Sequence, residues 1–172
     1  MQQYERGQTK STGESMTKDV LISISGLQMD VLEEEKEYEP IEVVAPANYF
    51  LKNGRHYILF DEVTEGIPGI TKNRIKITGE DALEVMKSGV SNVHMVFEKN
   101  KKNLTYYQTP YGQLLIGIHT KEMEVEVSED NINVKVGYIL DVNHEPLADC
   151  QIRINVKSKD AGDFQITKNM DF

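Results

Sequence analysis

The sequence predicts an all-β protein, most simply a single up-and-down antiparallel β-barrel of about eight to ten strands, with a two-sheet sandwich as the alternative. Three observations lead there. Apolar residues recur at every second position through much of the chain, as in Val20, Ile22, Ile24 and again in Ile132, Val134, Val136, Tyr138, the period of a half-buried strand. Turn residues such as Asn53-Gly54 and Gly79-Glu80-Asp81 punctuate these runs at short intervals, as expected for consecutive antiparallel pairing. No segment carries the period of an amphipathic helix of ordinary length. A twisted sheet of that many strands closes on itself or folds into two layers, and closure also removes exposed edges.

Residues 1–17 are polar, rich in Gly, Ser and Thr, and aperiodic, which predicts a disordered leader before a barrel domain over 18–158 and a C-terminal tail over 159–172. The first strand is read over Val20 to Ile24. "DVLEEEKEYEPIE" (30–42) follows, where acidic residues surround one lysine and end at Pro40; without carboxylates converging from fixed positions this reads as a solvated loop, not a metal site. "VVAPANYFLK" and "RHYILFDEV" form a hairpin through Asn53-Gly54, because both residues tolerate the positive φ of a type I′ turn. "TEGIPGIT" (64–71) is a connection: its glycines precede no helix whose N-terminus could hold a phosphate.

"TKNRIKIT" and "ALEVMKS" pair around residues 79–81, and Val93, Met95 and Phe97 alternate in the next strand. After "KNKKN" comes "NLTYYQTPYGQLLIGIHT" (103–120), in which Thr109-Pro110-Tyr111-Gly112 has proline at the second and glycine at the fourth position of a type I turn. It reads as a hairpin corner. Two long strands joined at 128–131 and a last strand, "CQIRINVKS", complete the chain, with Phe164 and Phe172 in the polar end.

The chain has 172 residues, 28 acidic against 19 basic, and a formal net charge of -9. That balance repels a phosphate backbone, so no nucleic-acid partner is expected; Lys99, Lys101 and Lys102 are the densest basic group and fit a solvated hairpin tip. The single Cys150 cannot close an internal disulfide, and the N-terminus lacks the apolar core of a signal peptide, which predicts a cytoplasmic protein. No apolar run is long enough to span a bilayer, and no membrane association is expected.

Alternation assigns Val93, Met95, Phe97, Leu104, Tyr106, Leu114, Ile116, Ile118, Thr120, Met123, Val134, Tyr138 and Cys150 to the interior and turns His94 and His119 outward. A barrel of this size is either filled by side chains or holds one small ligand. Tyr106, Tyr138 and Thr120 bring hydroxyls that need partners once buried, and with Met95 they form the candidate ligand-binding set for a small, largely apolar molecule. Cys150 reads as a small buried hydrophobe. The sequence has no Gly-x-Ser-x-Gly, His-Glu-x-x-His or Cys-x-x-Cys pattern, so no catalytic residue, metal ligand or cofactor is assigned.

Taken together, "TKDVLISISGLQ", the Asn53-Gly54 hairpin, "NVHMVFEKNKKNLTYYQTPYGQLLIGIHT" and the strand from Ile132 to Val142 resemble the YwiB-like proteins, a family of small bacterial proteins of unknown function. The resemblance covers roughly residues 18–158. It implies a calycin-like, lipocalin-related barrel and no established activity, and through that fold it favours ligand binding. It also implies an arginine shortly before the glycine matched by Gly89, where this chain has Met86-Lys87. Lys87 joins the candidate ligand-binding set on that ground, as an anchor without arginine's planar fork. A filled barrel that docks a protein partner through Tyr107, Tyr111 and His119 is the second expectation, and an enzyme using Arg74 or a histidine at one barrel mouth the third.

Overall fold

The computed structural model describes residues 18–26, 42–63, 65–90, 92–109 and 112–159. The expected leader, the acidic run as far as residue 41, Pro110, Tyr111, Phe164 and Phe172 lie outside them. Ten strands follow in order: β1 (Lys18–Ser25), β2 (Glu42–Lys52), β3 (Arg55–Glu62), β4 (Thr71–Ile77), β5 (Ala82–Gly89), β6 (Val93–Glu98), β7 (Lys101–Thr109), β8 (Gly112–Val127), β9 (Asn131–Val142) and β10 (Glu145–Ser158). They form one sheet in the order β6-β5-β4-β3-β2-β1-β10-β9-β8-β7.

The first and last strands therefore pair at the centre of that order, Ile22 opposite Val156, and the chain winds away from them in both directions. The two edges, β6 and β7, are consecutive in sequence and meet across a seam. Lys99 donates its N–H to the Asp81 carbonyl at 2.9 Å and Asn100 to the Thr120 carbonyl at 2.8 Å, so their connection is tied to both flanks. Across the seam the strands share the isolated Asn92–Gln108 bridge rather than a ladder. The result is a nearly closed barrel.

Its turns are chemically determined. Asn53 and Gly54 have φ of 53° and 76°, the left-handed pair that a type I′ hairpin requires. Thr109 opposite Gly112 closes the β7–β8 hairpin over two residues. The segments "QLLIGIH" and Met123–Val127 belong to the single long strand β8. Its pairing with β9 shifts between Gly137 opposite Glu122 and Tyr138 opposite Thr120, leaving Lys121 as the extra residue of a β-bulge. Thr120 and Met123, three apart, consequently both face inward and are buried.

The interior is apolar over most of its height. Ile22, Ile58, Ile75, Leu83, Met95, Phe97, Ile116 and Ile152 are fully buried, each such side chain adding about 1.5–3 kcal/mol through its removal from water. Val93, Val134 and Tyr138 are buried as expected, and Leu114 and Cys150 are half-buried against the core. Two interior assignments are corrected: Leu104 and Tyr106 are 54 % and 61 % exposed. The β7–β8 register sets Asn103 opposite Ile118, Thr105 opposite Ile116 and Tyr107 opposite Leu114, and these pairs face the core. Leu104 is opposite Gly117, whose missing side chain leaves room on the outer face that Leu104 and Lys102 cover. A one-residue change of register exchanges the two faces of a strand, so Tyr107 faces inward and Tyr106 outward.

Candidate functional site

The inward face carries a polar stripe across four adjacent strands. Asn103 on β7 is a diagonal neighbour of Thr120 on β8, and Tyr138 on β9 is directly opposite both Thr120 and, on β10, Cys150. The Tyr138 ring meets Phe97 edge to face, centroids 5.1 Å apart at 70°, an arrangement favoured by the ring quadrupoles. Met95, fully buried, is the next inward residue of β6 after Phe97. The structure thus brings together Tyr138 and Thr120, sets Met95 one inward position along from the Phe97 that touches Tyr138, and turns Tyr106 outward.

Two atoms of the stripe stand out. Thr120 is 0 % exposed, and neither its Oγ1 nor the buried Nδ2 of Asn103 has a hydrogen-bond partner among the described residues. A buried polar group left unpaired costs about 1–3 kcal/mol, and folded proteins carry few. Both lie beside the β6–β7 seam, the one place where the sheet lacks a ladder. Cys150 belongs to the same stripe; burial pushes its thiol pKa up, with the neighbouring Asp149 acting the same way, against a smaller opposite effect of the hydrogen bond with Tyr138.

Lys87 also faces the interior, but elsewhere. Its ammonium donates to Glu62 Oε1 at 2.9 Å and to Asn73 Oδ1 at 2.8 Å, while Asn73 Nδ2 donates to Glu62 Oε1 at 3.1 Å. Burial alone would push the Glu62 carboxyl up; Lys87 and Asn73 outweigh it and hold its pKa below the usual carboxylate value. Asn73 is 2 % exposed. The triangle sits near the connection from β3 to β4, and Lys87 spends its charge on Glu62.

At the opposite end of β3, the Tyr49 hydroxyl and His56 Nδ1 are 2.8 Å apart and their rings stack at 5.8 Å. Burial lowers the His56 pKa and raises that of Tyr49, so both stay neutral near pH 7. Tyr49 borders a cavity of about 70 Å³ at this mouth, together with Ser128, Asn131 and Ser158. A larger cavity of about 450 Å³ lies on the outer face over β8, β9, β10 and β1. Neither is lined by the polar stripe.

The groups expected on the outside divide. His94 is outward and 2.8 Å from Glu84 Oε1, and His119 is half-buried. Tyr107 is corrected to an inward, half-buried position, and Arg74 is half-buried on the outer side of β4 between Leu59 and Met86. Sequence reasoning missed Asn103, Asn73 and Glu62. For Asn73 the signal existed, since it precedes Ile75 and Ile77 in their register; for Asn103 the competing alternation of Leu104 and Tyr106 hid it. Among the described residues no group of three His, Cys, Asp or Glu side chains could hold a metal ion.

Comparison with known proteins agrees with this architecture. The uncharacterized β-barrel protein YwiB of Bacillus subtilis (strain 168) is 24 % identical over 115 residues, 67 % of this chain and 79 % of that protein. The crystal structure of the YwiB protein from Bacillus subtilis superposes with a TM-score of 0.68, covering 86 % of this chain and 96 % of that one at 17 % sequence identity. That likeness shows the barrel fold. Residues 22–154 match the model of the domain of unknown function DUF1934, and the chain belongs to that family.

Proposed function

We propose that this barrel is a binding protein for a small, largely apolar molecule bearing one polar group, held in the interior at Asn103, Thr120 and Tyr138 against Met95 and Phe97. The observation that carries the reading is the pair of buried, unpartnered atoms, Thr120 Oγ1 and Asn103 Nδ2. A ligand oxygen between them accepts from both and removes two desolvation costs at once. The seam between β6 and β7 is the entry, because parting those edges breaks little beyond the Asn92–Gln108 bridge, whereas any other strand pair must give up a ladder. Small-molecule sites characteristically combine apolar walls with a few placed polar groups.

Binding rather than catalysis fits the chemistry of the stripe. The stripe is a hydroxyl, an amide, a phenol and a thiol whose pKa is raised, and it holds no imidazole or carboxylate to act as a general base. The outer surface carries the ion pairs Lys72–Asp61 and Lys76–Glu84, which suits a water-facing barrel rather than one embedded in lipid. A cytoplasmic setting, in which the lone thiol stays reduced, is part of this reading.

Native mass spectrometry of the protein purified from its own host tests it. The expected spectrum shows one small molecule per chain in the wild type and the bare chain in Thr120→Val. A wild-type protein at the mass of its chain alone contradicts the proposal.

A further inference from the structure

The outer-face cavity of about 450 Å³ has an unusual charge arrangement. One directly opposed row crosses it from β8 to β2: Glu124, Lys135, Arg153, Ser25, Glu42. Lys135 and Arg153 are therefore cross-strand partners, a placement of like charges that destabilises a sheet. No carboxylate of the described residues lies within ion-pairing distance of either, although the chain carries nine more acids than bases. Among the described residues Arg153 reaches only the Gln151 amide oxygen, at 3.3 Å. The next row, Asn133 opposite Asn155 and Asn155 opposite Ser23, is built of short polar side chains, and all three line the depression. Asn155 Nδ2 donates to Asn131 and Asn133 Oδ1 at 2.9 and 2.6 Å, which fixes the orientation of its amide.

We propose that this groove binds an oxyanion, a phosphomonoester or a carboxylate, carried on a polyhydroxylated body the size of a monosaccharide. Lys135 and the Arg153 fork take the oxyanion, the geometry for which a guanidinium beside an ammonium is suited. The flanking carboxylates of Glu124 and Glu42 accept from the ligand's hydroxyls. They also disfavour a bare anion, which would meet repulsion on both sides without a sugar's array of hydroxyls to offer. The volume lies within the range of small-molecule sites, and the site is separate from the barrel interior, so it stands or falls independently of the interior ligand.

The test is titration of the full-length, ¹⁵N-labelled protein in low salt with glucose 6-phosphate, glucuronate, inorganic phosphate and glucose. The expected result is saturable binding of glucose 6-phosphate or glucuronate, shifting the amides of Lys135, Arg153 and Asn155, about tenfold tighter than either inorganic phosphate or glucose. The tighter of the two sugar acids identifies the oxyanion. Lys135→Gln and Arg153→Gln, surface changes whose folding is checked by thermal melts no lower than that of the wild type, each weaken binding by about tenfold or more. Glu124→Gln weakens the sugar acid and tightens inorganic phosphate. No saturable binding of either sugar acid overturns the proposal, as does inorganic phosphate binding as tightly as they do, or affinity unchanged in both cation variants.

Discussion

Thr120→Val isolates the atom on which the functional reading rests. The two side chains are nearly isosteric, and Thr120 is 0 % exposed with Oγ1 unpartnered, so the exchange replaces a desolvated hydroxyl with a methyl of similar volume. An unsatisfied buried hydroxyl costs about 1–3 kcal/mol. In protein stripped of small molecules by unfolding and refolding, Thr120→Val is therefore expected to be more stable by about 1–2 kcal/mol, taking the lower part of that range because the core relaxes. For a domain of this size each kcal/mol moves Tm by about 2–4 °C, giving a rise of roughly 2–8 °C by calorimetry. Protein carrying its ligand behaves in the opposite sense, because the wild type gains stability by binding and the variant has lost an anchor. Thr120→Ser keeps the hydroxyl and retains the ligand, which separates polarity from volume. A lower Tm for Thr120→Val in stripped protein would refute the reasoning, since it would mean that the hydroxyl already has a partner in the empty barrel.

Other outcomes follow from the packing and the charges. Phe97→Ala removes a fully buried ring and its edge-to-face contact with Tyr138, and should cost about 3–5 kcal/mol in urea unfolding. Gly89 has φ of +126°, and a Cβ there would collide with the Ile70 carbonyl; Gly89→Ala should lower Tm clearly, whereas Gly79→Ala, where a Cβ meets nothing within 4 Å, should change it little. The folded-state pKa of Glu62 lies below its ordinary value of 4.5, so its stabilising contribution is complete above that pH and is lost as pH falls through the lowered value. Glu62→Gln should flatten the acid limb of the stability curve. His56 is lowered from 6.5 by burial; its contribution is complete above 6.5 and lost as pH falls through the folded value, and the ring carbons followed by NMR should titrate below 6.5.

Much of the barrel was legible because strand period and turn chemistry are local properties. Asn53-Gly54 specified its hairpin through the φ angles its residues tolerate, and Val20, Ile22 and Ile24 specified a buried face without knowledge of their partners. The seam was not legible: whether β6 and β7 pair is decided by how many strands close the circle. Nor was the face of β7. Leu104 and Tyr106 outrank Asn103 and Thr105 in apolarity, and only the absent side chain of Gly117 explains why Leu104 turns outward to cover it. The candidate set divides for the same reason. Thr120, Tyr138 and Met95 were assigned to the interior by alternation and are buried there; Lys87 entered through family resemblance and proves to be engaged with Glu62 and Asn73. Asn103 was hidden by the competing alternation of Leu104 and Tyr106.

The central claim is that Thr120 Oγ1 and Asn103 Nδ2 both donate to one ligand atom, and a high-resolution crystal structure of the protein purified gently from its own host examines their surroundings directly. The account predicts continuous density for an organic molecule along Met95 and Phe97, with one acceptor about 2.7–3.2 Å from both polar atoms. A lone spherical water peak at that position, or none, would contradict it.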